Sequence, residues 1–67
     1  MDRKELGLKI AKLRQAKNLS AYELSLRIEK SHNYMYLVEM GNVNFTIDAF
    51  LAICRELEIS PADLFKN

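Results

Sequence analysis

Five residues suited to capping helix starts, Asp2, Ser20, Ser31, Thr46 and Ser60, divide this 67-residue chain into segments the length of small helices. Asp2 has Glu5 three places on, and Ser20 has Glu23, the reciprocal arrangement of a capping box. Ser60 is followed by Pro61 at the first helical position and Asp63 at the third, where a fixed φ and a negative charge both suit a helix start. Between the caps, Leu6, Ile10 and Leu13 mark the buried stripe of a first helix, and Leu24 and Ile28 that of a second. Ile47, Phe50, Leu51, Cys54 and Leu57 mark the fourth, and Leu64 and Phe65 belong to a short fifth. The run Tyr34 to Val38 has strand-like composition, but its flanking caps and inward spacing favour helix. The expected fold is all-α, a compact five-helix arrangement in a single domain over residues 1–67.

The third segment, Ser31 to Gly41, spaces its residues differently. At about 100° per residue, Ser31, Met35, Val38 and Glu39 share one side, while Asn33, Leu37 and Met40 point the other way beside His32 and Tyr36. A narrow apolar root under a face of Asn, His and Tyr is built to touch something. Ser25, small and next to the inward Leu24, lets another helix cross the second one closely. Gly7 inside the first helix costs about 1 kcal/mol relative to Ala, which implies a close approach there too. Asn18 and Gly41 suit the left-handed residue that stops a helix.

Composition removes several function classes. With one Cys and one His, neither a disulfide framework nor a zinc site can be built, and Cys54 reads as a small buried hydrophobe. No glycine-rich phosphate loop is present and His32 has no orienting acid, so no enzyme, cofactor or small-molecule ligand is implied. No apolar run approaches membrane-spanning length and the start lacks a secretory pattern, so a cytoplasmic location is expected. Net charge is only +1, which leaves any nucleic-acid binding to local arrangement rather than a basic tail.

Taken in order, these landmarks resemble the phage-repressor-type helix-turn-helix domains, Cro- and lambda-repressor-like, also called XRE-like. The resemblance runs from about Leu6 to Phe65. It rests on Gly7 and Ile10, Leu13-Arg14, Leu19-Ser20 with Glu23-Leu24, and Ser31, Glu39 and Gly41. Thr46, Leu51, Leu57 and the closing Ile59-Ser60-Pro61-Ala62-Asp63-Leu64-Phe65 complete it.

That resemblance implies a helix-turn-helix at about residues 20–40 and a DNA-binding transcriptional regulator, working as a homodimer on a palindromic operator. The third helix would lie in the major groove of double-stranded DNA. Base reading would fall to His32, Asn33, Tyr36 and Leu37, with the Asn33 amide able to pair with adenine N6 and N7. Phosphates would be held by Ser20, Ala21, Tyr22, Lys30, Ser31, Asn42 and Asn44. Glu39 projects inward, where an unpaired carboxylate is costly, and the family assigns it Arg14 as ion-pair partner. Apolar residues beyond the needs of one small core, Ile47, Ile59, Leu64 and Phe65, would serve a dimer contact.

The chain departs from the family at identifiable places. Ala21 stands where a phosphate-contacting Gln is common, Leu37 where a polar reader is common, and Glu29 and Glu58 at turns that often carry Gly. A left-handed backbone at either Glu would cost about 1 kcal/mol. From Ala21 to Asn44, the cations Arg27 and Lys30 face the anions Glu23, Glu29 and Glu39, a net of −1. The alternative is a protein-interaction or antitoxin-like module on the same fold, with Tyr34, Tyr36, Leu37 and Met40 meeting a protein partner.

Overall fold

A computed structural model describes residues 1–44 and 46–66. Among the described residues it is all-helical, with five helices: α1 (Arg3–Ala16), α2 (Ala21–Arg27), α3 (Tyr34–Glu39), α4 (Ile47–Glu56) and α5 (Pro61–Leu64). Four start as the caps imply. Asp2, Ser20, Thr46 and Ser60 each accept a backbone N–H from the residue three places on, and Ser20 with Glu23 forms the full capping box.

The ends follow one rule. α1, α2, α3 and α4 each close in a Schellman motif, with Asn18, Glu29, Gly41 and Glu58 at φ of 58°, 61°, 76° and 56°. In each motif the residue after the left-handed one returns its N–H to the third-last helical carbonyl, as Lys30 does to Ser25 and Asn42 to Leu37. Glu58 gains compensation from an ion pair with Lys17, at the end of α1. That ammonium holds the Glu58 carboxyl below its usual range, so the contribution is present above the ordinary carboxylate pKa and fades as pH falls through the lowered one.

The core gathers Leu6, Ile10, Leu24, Met35, Val38, Phe50, Ile53, Cys54, Leu57 and Leu64. Two expectations for α4 need correcting. Ile47 and Leu51 are 71% and 45% exposed, and the fully buried residue of this helix is Ile53. The inward line passes through Phe50, Ile53, Cys54 and Leu57, which puts Leu51 about 100° off it. Ile47 is the first residue of the helix and precedes the turn that enters the core. Burial pushes the Cys54 thiol up, as befits a core hydrophobe.

Gly7 explains how α1 and α3 approach. A Cβ there would lie 2.5 Å from the Glu39 carbonyl oxygen and 2.7 Å from that of Val38. Only a glycine fits at this crossing.

Candidate nucleic-acid interface

α2 and α3 form the bihelical unit, and two cross-helix locks hold it. The first is the ion pair between Arg14 and Glu39. Arg14 Nε donates to Glu39 Oε2 at 2.7 Å and its Nη2 to Oε1 at 3.0 Å, a bidentate fork. Its remaining Nη1 donates to the Leu19 carbonyl at 2.7 Å, tying the α1–α2 turn into the same lock. The side chains are only 13% and 11% exposed. The hydrogen bonds that Arg14 donates to Glu39 outweigh burial and raise the Arg14 pKa above its ordinary value.

The second lock has only a faint trace in the sequence. Ser25 is fully buried on α2; its hydroxyl donates to the Ala21 carbonyl at 2.8 Å and accepts the Met35 N–H at 2.9 Å. The first turn of α3 is thus capped from the neighbouring helix. Ser25→Ala strands a buried N–H and is expected to cost about 1–2 kcal/mol. Urea unfolding measures it, as a lower midpoint at unchanged m.

This changes the start of α3. Ser31 is not its cap: the helix begins at Tyr34 with Asn33 in the cap position, so the helix proper is six residues long. The Ser31 hydroxyl donates instead to Asn33 Oδ1 at 3.1 Å, and the Ser31 carbonyl accepts the Tyr34 N–H at 3.0 Å. His32 and Asn33 therefore occupy an exposed turn leading into α3 rather than its first turn. Ser25 takes the Met35 N–H from the neighbouring helix, while the Ser31 hydroxyl orients Asn33.

The residues expected at the reading face divide clearly. His32, Asn33 and Tyr36 are exposed, Tyr36 at 60%, whereas Leu37 is half-buried and offers only an edge. The ring of His32 lies 6.1 Å from that of Tyr22, tilted by 37°, so α2 and the turn before α3 share one surface. Tyr34 packs against the core, with the Lys30 ammonium 5.5 Å from its ring centre. Burial raises its phenol pKa, and little of it is left for a partner.

Among the expected phosphate groups, some backbone donors are already taken. The Ser20 N–H donates to Glu23 Oε1 at 3.0 Å, and the Asn42 N–H closes α3 onto Leu37. The first bond lowers the Glu23 pKa, tying the cap to an ionised carboxylate. The N–H groups of Ala21 and Tyr22 open α2, where a helix start leaves donors without intrahelical partners. Lys30, Ser31, Asn42 and Asn44 are exposed. Asn44 Oδ1 accepts from Arg3 Nη1 at 3.0 Å, which brings a cation beside the loop after α3. Sequence spacing holds no sign of that long-range pair. Arg27 lies 3.6 Å from Glu56, which offsets its charge.

Of the residues assigned to a dimer contact, Ile47 and Phe65 are exposed, and Ile59 is partly buried against the core. Leu64 is fully buried: it is a core residue of α5 with no surface to offer a second copy. Phe65 stacks on Phe50 with ring centres 5.4 Å apart at 30°. Among the described residues there is no group of His, Cys, Asp and Glu able to hold a metal, and no helix long and apolar enough to cross a membrane.

Comparison with known proteins agrees with this architecture. The chain is similar to the restriction-modification controller protein C.AhdI from Aeromonas hydrophila at 31% identity and a TM-score of 0.88, over 96% of this chain and 93% of that one. It is also similar to the clp gene regulator ClgR from Corynebacterium glutamicum, at 26% identity and a TM-score of 0.85, over 92% of this chain and 80% of that one. No curated protein matches it. Residues 9–66 match the Cro/C1-type HTH DNA-binding domain, and with the α2–α3 unit described above, the chain belongs to that helix-turn-helix family.

Proposed function

We propose that this chain is a sequence-specific transcriptional regulator of double-stranded DNA, with α3 in the major groove and α2 crossing the backbone. One observation carries the reading. The α2–α3 unit is clamped by Arg14–Glu39 and Ser25–Met35, while His32, Asn33 and Tyr36 stand outside it with no core to serve.

Asn33 is the principal reader. Its Oδ1 accepts the Ser31 hydroxyl and has a second lone pair for adenine N6, while its amide N–H donates to N7. His32 and the Tyr36 hydroxyl supply adaptable polar contacts, and the Leu37 edge suits a thymine methyl. Phosphate contacts fall to the Ala21 and Tyr22 N–H groups and to the side chains of Lys30, Ser31, Asn42 and Asn44, with Arg3 beside the last.

The face is poor in positive charge, so one domain binds weakly and a homodimer on a palindromic operator supplies the rest through effective concentration. Ile47, Leu51 and Phe65, all exposed on α4 or just after α5, offer the apolar surface for that dimer. Selection from random duplex DNA at low and physiological salt tests the proposal. It should enrich adenine-containing half-sites whose centres lie about 34–36 Å apart, one helical turn. No enrichment at either salt would instead favour a protein-interaction module.

A further inference from the structure

The outer face of α1 carries an apolar strip that neither the core nor the proposed DNA surface uses. Leu8 is 61% exposed and lies between two shallow hollows. Met1 and Lys12 border the one, Lys4 and Met40 the other. Met1 and Met40 are themselves half exposed, so the strip runs from the start of α1 past Leu8 to the end of α3. Methionine is flexible and polarisable, which suits a surface that reshapes around a partner.

The charges around the strip are lopsided. Four lysines, Lys4, Lys9, Lys12 and Lys66, line the two hollows against Glu5 and Glu39. Glu39 is already spent on Arg14, and Lys66 pairs with Asp63. The Lys9 ammonium donates to the Asp63 carbonyl at 3.3 Å and to that of Lys66, which pins the chain after α5 along this edge. Among the described residues, Lys4 and Lys12 have no ion-pair partner. An apolar floor with a lysine rim is complementary to a helix bearing leucines on one face and carboxylates beside them. Phosphate gains little here, because the apolar floor offers it nothing.

We infer that the Met1–Leu8–Met40 strip docks a partner protein through an acidic amphipathic helix. This surface is separate from His32 and Asn33, so the inference stands or falls independently of DNA reading. The probe is a peptide of about 16 residues with leucines at i, i+3, i+4 and i+7 and glutamates on both flanks, long enough to form a helix. Added to the isotope-labelled chain, it should shift the amides of Leu8, Lys12 and Met40. A version with lysine for glutamate and a random DNA duplex should leave those amides in place. Leu8→Glu should weaken peptide binding about tenfold or more, the worth of burying one leucine, while Leu26→Glu at the exposed leucine of α2 leaves it unchanged. Three results would overturn the inference: the same shifts with DNA alone, shifts that follow dilution without peptide (a second copy), or full binding by Leu8→Glu.

Discussion

Arg14→Ala is expected to destabilise the chain by about 3–5 kcal/mol, the cost of leaving a buried carboxylate unpaired. The substitution removes both hydrogen bonds to Glu39 and the one to the Leu19 carbonyl. Glu39, 11% exposed, cannot recover that solvation from water without α3 moving. Domains of this size sit at the low end of the usual range of about 5–15 kcal/mol, so the variant should be partly unfolded at room temperature. Replacing Arg14 and Glu39 together by Met and Leu should restore most of the stability, because an apolar pair leaves no charge behind. Urea unfolding of the single and double variants reads both effects. A single variant as stable as the parent would remove the pair from the account of how α3 is held.

Gly7→Ala is the second large effect, and its sign runs against helix propensity. In an exposed helix the change gains about 1 kcal/mol. Here the new Cβ would sit 2.5 Å from the Glu39 carbonyl and 2.8 Å from its carbon, which are backbone atoms that no rotamer change can move. Overpacking of that kind costs about 1–3 kcal/mol and occasionally more, so a net loss of about 2 kcal/mol is expected. In a domain this small that is a fall in Tm of roughly 8–16 °C, measured by circular dichroism. The same crossing positions α3, so the variant should also lose DNA affinity beyond what its unfolded fraction explains.

How much of this was legible before the fold was known depends on the range of the interaction. Caps act over three residues, and Asp2, Ser20, Thr46 and Ser60 all sit where their sequence context puts them. Asn18 and Gly41 stop helices as their conformational freedom allows, and Glu29 and Glu58 adopt the same geometry despite their side chains. Ser31 is not a cap because the chain stays in a turn until Tyr34, whose N–H goes to the Ser31 carbonyl, and Ser25 of another helix caps Met35 instead. That cross-helix bond is invisible in a one-dimensional reading, where Ser25 shows only as a small residue.

The exposed Ile47 and the buried Leu64 are misjudged for a related reason. Periodicity marks an apolar stripe, but the extent of the neighbouring layer decides which end of it is covered. The meeting of Arg3 with Asn44 spans 41 positions and depends wholly on the way α1 returns past α3.

Asn33, in the turn into α3, carries the proposed base reading. Its most direct test is to measure the affinities of the parent and of Asn33→Ala for the enriched duplex and for the same duplex with each half-site adenine replaced in turn. One adenine is expected at which the parent discriminates by about 1–3 kcal/mol and the folded variant does not, while the other positions keep their preferences. Equal discrimination at every position by the two proteins would contradict it.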